Sequence, residues 1–598
     1  MRNMVRKSVA ILIGLALTAT GLWAAGAEEE APATAADKKY VTDPVTGKVY
    51  TAPEYGGTLT TVRVNDGAAV DPYVFIGAHS LVSQIVVEKL GMLDWALDRE
   101  AYHFSGGYLT PEWAMTGGLA ESWEQPDDTT FVFNIRPGVH WHDKPPMNGR
   151  ELTAEDVEHS FQRYLGLWDF ADAGPGVYTG DFGALAWESI EATGKYTLEM
   201  KLKEPNIRAM GLILDWYHNM VYPPEVLAEH GDISDWTNLV GTGPYELTDW
   251  VKGSSLEFTR NPNYWGFDPK YPENRLPYVD KVEALIIPEA ATRLAGLRAG
   301  TIDYIGHAGS TQLFEINQAL SLQRTNPELK MYPWSQRSDN AASMNVTRPP
   351  FDDIRVRHAL QMALDLETMN DSYFKGFGDT IPRGIVGRRF PGFATPYEEW
   401  SDELKGYFAY DPVGAGELLD EAGYPRGADG IRFKTTYLHF DRFALSWTEL
   451  MAAYWREIGI EVDIQTPARP EYNARRNAAD WDMISTSTGI EADPMWQIGI
   501  FYSKGPHART VVDAQYDAWY EAALATTDIE EQKRLINQMD TRAIEQHWDI
   551  WGPSAPQYNV VQPWVMGYDG EGVLGGGTNY HIFKYLWIDS ELKAALGH

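Results

Sequence analysis

From Gly57 onward, short β-type runs alternate with amphipathic helical stretches. Thr58–Val64 alternates polar and apolar positions with the period of two that sends successive side chains to opposite faces of a strand. Thr130–Arg136, Tyr196–Lys203, Ser255–Arg260, Lys281–Ile287, Phe433–Leu438 and Ile460–Ile464 are β-rich in the same way and are predicted strands. Ser80–Leu93 sets Leu81, Ile85, Leu90 and Leu93 at near-helical spacing, which predicts a helix. Thr153-Ala-Glu-Asp156 opens another over Val157–Leu165, because Thr at the cap and an acid three residues on can satisfy the first free N–H groups. Glu289–Ala299, the helix opened by Asp411-Pro412 and ending at Ala422, and Thr448–Ile458 each stop at a glycine. Asp353–Ala363 and Glu530–His547 complete the helical set. Strands and helices mixed over this length predict an α/β protein of several lobes.

The chain has 598 residues, enough for more than one core, since single cores stop growing near ~250–300 residues. Its 84 Asp and Glu against 50 Lys and Arg give a net charge of -34, which excludes a phosphate-neutralising surface and nucleic acid as a partner. The sequence contains no cysteine, so disulfides, zinc–thiolate sites, iron–sulfur clusters, thiol nucleophiles and lipidated cysteines are all excluded. No nucleophile elbow, P-loop, dinucleotide fingerprint or HExxH stands in the chain, and no catalytic residues are assigned. A secreted glycoside hydrolase is the alternative from another class, but 84 acids supply a plausible carboxylate pair in any arrangement.

Residues 1–27 read as an export signal: Arg2, Arg6 and Lys7, an apolar run from about Val9 to Leu22, then Ala24, Ala25, Gly26 and Ala27. The other reading is a retained anchor, because an apolar run of ~18 residues approaches a membrane span. Residues 28–55, rich in Ala, Pro, Thr and charge, read as a flexible tether. Export without a lipidation cysteine places the mature protein free in the periplasm, where an outer membrane confines it.

Eleven short blocks stand in a fixed order. They are Gly118-Leu-Ala-Glu-Ser-Trp-Glu124, Arg136-Pro-Gly-Val139, Trp141-His-Asp143, Leu152–Val157 and Gly241-Thr-Gly-Pro-Tyr245, then Arg260-Asn-Pro-Asn-Tyr-Trp265 and Leu297–Asp303. Pro350–Arg357 with Ala363–Asp365, Tyr410-Asp-Pro412, Glu421–Pro425 and Pro563–Tyr568 follow. In that order they resemble the family 5 extracytoplasmic solute-binding proteins of ABC importers, which take up dipeptides, oligopeptides and nickel. The resemblance implies a periplasmic-binding-protein-like type II fold with two lobes and an extra domain. Lobe I would comprise 56–80, 206–307 and 554–598, domain II 81–205 and lobe III 308–553, with the ligand between lobes I and III. It implies binding without catalysis, no cofactor, a monomer, and delivery to an ABC permease and ATPase complex in the inner membrane. The chemistry of Gly241, Gly243 and Pro244 independently predicts a backbone turn with unusual φ and a fixed exit.

The segment from Trp481 to Trp496 is the pocket candidate: a strand running into Gly489, then Glu491 and Asp493 on a loop that Pro494 ends. By the resemblance, Asp493 receives a peptide's α-ammonium; if Asp493-Pro494 instead matches the Asp-Pro that turns the loop, the ammonium-binding acid is displaced toward Glu491 or absent. Ile490 stands where relatives carry an aromatic residue. Asn65 and Asp66 leave the first strand where relatives also touch ligand, and Trp496 offers a flat face to a ligand of varied sequence or to a sugar ring. Short peptides and β-glucan oligosaccharides are therefore both candidate ligands, the 22 Trp and 32 Tyr favouring sugars and the resemblance favouring peptides. His140 and His142 share one strand face beside Asp143, so a two-ligand metal site is geometrically open, but they fall inside a block that is structural in relatives, and no metal is assigned.

Overall fold

The computed structural model describes residues 40–598 apart from 43–46, 48, 65–69, 72, 74–84, 100–111, 177–178, 217–218, 307–315, 335–337, 387–389, 391, 441–443, 489–493, 506–509, 555–556 and 572–579. The leader 1–27 lies outside the described residues. Within the stretch read as a tether, Tyr40–Thr42 pairs antiparallel with Val49–Thr51. Close to its end, the Tyr55 hydroxyl donates to the Arg275 carbonyl at 2.8 Å.

Sixteen strands build the three larger sheets. Along the chain they begin with β1 (Thr58–Arg63), β2 (Ala120–Asp127), β3 (Thr130–Ile135), β4 (Trp187–Gly194) and β5 (Thr197–Leu202). Next come β6 (Tyr245–Val251), β7 (Ser255–Arg260), β8 (Lys281–Ile286), β9 (Tyr304–Ile305), β10 (Lys330–Trp334) and β11 (Ser338–Met344). The last are β12 (Phe433–Leu438), β13 (Ile460–Gln465), β14 (Met483–Thr488), β15 (Asp549–Ile550) and β16 (Gln557–Val561). Their orders are β6-β7-β8-β1-β9-β16-β10 in a seven-stranded sheet, β2-β3-β5-β4 in a four-stranded sheet and β13-β12-β14-β11-β15 in a five-stranded sheet.

β1 shows why the first sheet is buried on both faces. Its alternation sends Leu59 into a core shared with Phe131, Leu198, Phe258 and Val282, and Val62 into a second core with Leu294, Leu297, Leu322 and Val560. The four-stranded sheet therefore shares one apolar core with a face of the seven-stranded sheet. A separate core holds Met344, Leu360, Tyr437, Trp455, Ile460 and Met483 around the five-stranded sheet. β10 lies in residues 308–553, yet it pairs along its length with β16 in the seven-stranded sheet.

Local chemistry sets the helix starts. Asp156 Oδ2 accepts from the Thr153 N–H at 2.9 Å as the helix Ala154–Leu165 begins. Asp353 Oδ1 accepts from the Arg355 N–H at 2.9 Å before Ile354–Met362, and Asp411 Oδ1 from the Gly414 N–H at 2.8 Å before Pro412–Glu421. One predicted helix differs. Of Ser80–Leu93, residues 80–84 lie outside the described residues, and Gly91–Leu93 forms a strand paired with Met115–Gly117. Gly91 packs so closely on Leu214 and Met115 that a Cβ there would lie 3.0 Å from each, a long-range contact that outweighs local helical spacing.

Candidate functional site

The chain passes between the seven- and five-stranded sheets twice. It leaves after Trp334 and enters β11 at Ser338, then leaves β15 at Ile550 and re-enters at Gln557, the residue that pairs with Trp334. β8, β1 and β9 are parallel, and β10 runs with them because β9 and β10 both pair antiparallel with β16. Their carboxyl ends, Ile286, Arg63, Ile305 and Trp334, thus share the edge where both passages attach. In the second sheet β12, β13 and β14 are parallel, and Ser338 at the start of antiparallel β11 faces Thr488 at the end of β14. Leu438, Gln465 and Thr488 therefore also end toward the passages. Two sets of parallel strands turn their carboxyl edges to one crevice, the position where open α/β sheets bind ligands.

The sequence candidates leave from these edges. Asn65 and Asp66 follow β1, while Gly489, Glu491 and Asp493 follow β14, and all five lie outside the described residues. Trp496 sits partly buried on the helix Pro494–Gly499, whose Met495 and Ile498 enter a core with Ile385, Val386 and Met539.

Three groups at these edges carry no sequence signal of their own. At the exit of β12, His439 Nδ1 lies 3.1 Å from Thr448 Oγ1 and 3.3 Å from Ser485 Oγ, while the Phe440 N–H donates to Ser485 Oγ at 3.3 Å. Phe440 stacks on Tyr472 with ring centroids 4.5 Å apart, and the Arg469 guanidinium covers it at 4.1 Å. On the return passage, Ser554 exchanges backbone hydrogen bonds with Asp379 at 2.7 and 3.3 Å, and Arg383 Nη2 donates to Ser554 Oγ at 3.2 Å. The loop that carries them presents Phe377 and Ile381 to solvent, 47% and 41% exposed.

The histidine pair has a structural occupation. Gly241 N–H donates to His142 Nδ1 at 3.3 Å, and His142 Nε2–H donates to the Gly243 carbonyl at 3.0 Å. Both ring nitrogens are thus used, and burial pushes the imidazole pKa down to about 4, so it stays neutral. No group of three or more His, Asp or Glu positioned to hold a metal occurs among the described residues. Gly241 and Gly243 are required for a reason other than the predicted unusual φ, since neither has positive φ. A Cβ would lie 1.8 Å from the Val86 carbonyl oxygen at Gly241 and 2.6 Å at Gly243. Close backbone approach is what only glycine permits here.

Thr242 between them donates to Glu88 Oε2 at 3.0 Å, which also accepts from Trp265 Nε1 at 2.9 Å; Tyr264 OH donates to Glu88 Oε1 at 2.8 Å. Burial raises the Glu88 carboxyl pKa against the pull of Lys584 and these donors. Lys584 Nζ lies 3.2 Å from the Tyr264 hydroxyl. The motifs around 88, 142, 242 and 264 are thus one buried polar knot between the four- and seven-stranded sheets.

Residues 114–508, well over half of the chain, match the model of the bacterial extracellular solute-binding proteins, family 5 middle. Heme-binding protein A of Haemophilus influenzae is 27% identical over 481 residues, covering 75% of this chain and 81% of that protein. Di/tripeptide-binding protein 1 of Pseudomonas aeruginosa is 28% identical over 441 residues, covering 70% and 77%. In fold, the chain is similar to the ABC transporter-associated periplasmic binding protein DppA of Helicobacter pylori, solved with the peptide STSA: the TM-score is 0.68 at 21% identity, over 90% of this chain and 99% of that one. The two-lobed type II fold with its extra domain is therefore the fold of this protein. No helix among the described residues is long and apolar enough to cross a membrane. With its ordered motifs, its crevice between two carboxyl edges and this match, the chain belongs to family 5 of the bacterial extracellular solute-binding proteins.

Proposed function

We propose that this protein captures short peptides between its seven- and five-stranded sheets and hands them, without chemical change, to an ABC permease and ATPase complex in the inner membrane. The observation that carries this is the meeting of two carboxyl edges at a pair of short passages, which lets two rigid bodies close on a ligand by changing few backbone angles. The division into lobe I, domain II and lobe III belongs to the same proposal, with lobe I extended to Trp334 because β10 pairs with β16. Export by a cleaved leader into the periplasm is part of it too.

The peptide class is favoured by the Pseudomonas relative, whose name states di- and tripeptides. In this reading Asp493, or Glu491 beside it, takes the ligand's α-ammonium, and Gly489, Asn65, Asp66 and Trp496 line the crevice. A charge-assisted hydrogen bond of that kind is worth ~1.5–3 kcal/mol. A ligand without the ammonium would leave a carboxylate enclosed and unpaired, at a cost of ~3–5 kcal/mol. The second reading, an oligosaccharide in the same crevice, is favoured by the Phe440–Tyr472 stack and Trp496 at the edge of the second sheet.

A thermal-shift screen of the purified chain with dipeptides, tripeptides, haem and cello-oligosaccharides tests it, since a ligand at 100 times its dissociation constant stabilises by ~2.7 kcal/mol. Peptides are expected to shift the transition, and Asp493→Asn to weaken free peptides far more than N-acetylated ones. Absence of any peptide shift overturns the ligand class. Equal loss for free and acetylated peptides removes the role of Asp493.

A further inference from the structure

A groove of about 930 Å³ opens away from the crevice, between the loop that follows β3 and the segment that follows β7. Its position follows from strand register. β7 ends where β8 begins, with Thr259 opposite Lys281, and Lys281 in turn lies opposite Thr58, the first residue of β1. The groove therefore lies at the amino edge of the parallel strands, and the crevice at the carboxyl edge. The six residues of β1 separate them by about 20 Å.

The wall chemistry is mixed and balanced. Two guanidinium groups, Arg136 and Arg275, face two carboxylates, Glu121 and Asp143, so the groove is neutral in a chain of net charge -34. His140 Nδ1 donates to the Gly149 carbonyl at 2.8 Å, which leaves Nε2 as an acceptor on an exposed ring. Asn148 commits its Nδ2 to the Pro146 carbonyl at 2.8 Å and keeps its carbonyl oxygen for a ligand. Asn263 adds an exposed amide. The aromatic component is Phe267, 48% exposed, with Arg275 5.2 Å from its ring centroid, beside Trp265, which Arg136 covers at 4.6 Å.

From this geometry we infer that the groove is a second binding site, for a neutral β-linked oligosaccharide. With two charges of each sign, Arg136 lying 3.8 Å from Glu121, the groove exerts no net attraction on an anionic or a cationic guest. Interspersed donors and acceptors match hydroxyl groups, each of which both donates and accepts. An exposed aromatic face takes the apolar C–H side of a pyranose ring, and β-linkage keeps successive rings in a flat ribbon. The volume stands at the upper end of ~300–1,000 Å³ for small-molecule sites, which suits a chain of sugars. The inference rests on the reading that the crevice takes peptides, and the dipeptide titration tests that reading separately.

The test is calorimetric titration of the full-length protein with cellotetraose and, separately, with a dipeptide. The wild type is expected to bind cellotetraose. Phe267→Ala and Asp143→Ala should each weaken it about tenfold or more while leaving dipeptide binding unchanged. Trp496→Ala, at the other edge of the sheets, should leave cellotetraose binding unchanged. Both groove residues are surface positions, and the melting temperature of each variant checks that the fold is kept. No cellotetraose binding by the wild type overturns the inference. So does binding that survives both groove substitutions, or that Trp496→Ala abolishes, since the sugar would then occupy the crevice.

Discussion

Acidification should weaken the protein through its buried imidazoles, and the contribution of one of them, His547, can be isolated. His547 is 1% exposed, its ring centroid 4.7 Å from that of His358, 5.0 Å from Phe408 and 5.9 Å from Tyr407. Burial, then the nearby charges of His358 and Arg357, hold its pKa down at about 3 against an ordinary 6.5. Because the folded state refuses a proton that the unfolded chain accepts, this contribution is complete above pH 6.5 and is lost as pH falls toward 3. The two values give a loss of about 2 kcal/mol between pH 7.5 and 5, and about 3 kcal/mol by pH 4. His547→Phe keeps an aromatic ring in the site and removes the titration. Urea unfolding of wild type and variant at the three pH values, followed by tryptophan fluorescence, measures the difference of differences. The wild type should lose about 2 kcal/mol more than the variant on going to pH 5. Equal losses would refute the assignment of acid lability to this ring.

Asp540 runs the opposite way. Fully buried, it accepts from the Val386 N–H at 3.0 Å, and burial pushes its pKa up to about 7, so the stability it holds as a neutral acid is lost as pH rises from 3.8 toward 7. Between pH 5 and 8 that loss is about 2.6 kcal/mol, and it should be missing in Asp540→Asn when urea unfolding free energies are compared at those two pH values. Gly241→Ala should destabilise by about 2–3 kcal/mol in urea, because its Cβ would strike the backbone carbonyl of Val86. A change below 0.5 kcal/mol would show that this turn yields. Glu88→Ala should cost about 3–5 kcal/mol by the same measurement, since Tyr264, Thr242 and Trp265 lose their shared acceptor and the buried Lys584 ammonium loses its neighbouring carboxylate.

Elements set by local chemistry were legible in the chain. Ser255–Arg260 and Phe433–Leu438 are strands with the predicted bounds, because alternation over six residues is a local property. The helices after Asp353 and Asp411 begin where predicted, because a cap acts within three residues. The ordered motifs carried the family, and the family carried the fold. Gly91–Leu93 was misread because its partner strand is about 25 residues away and its close contact with Leu214 is farther still. What occupies His142 is the Gly241–Gly243 backbone about 100 residues distant, which no local spacing encodes.

The sequence by itself thus determined the strands and helices whose alternation or caps are local, the strongly acidic charge, the absence of thiol chemistry and membership of a binding-protein family. Those properties depend on residue identity and on neighbours within a turn or two. Only the tertiary structure decided that β1 lies between β8 and β9, that β10 belongs with β16, that Glu88 gathers donors from 242, 264 and 265, and that the groove at His140 and Phe267 stands at the opposite edge from the crevice. Each is a pairing between chain segments tens to hundreds of residues apart, fixed by the burial of apolar faces and the satisfaction of buried polar groups, which no local pattern encodes.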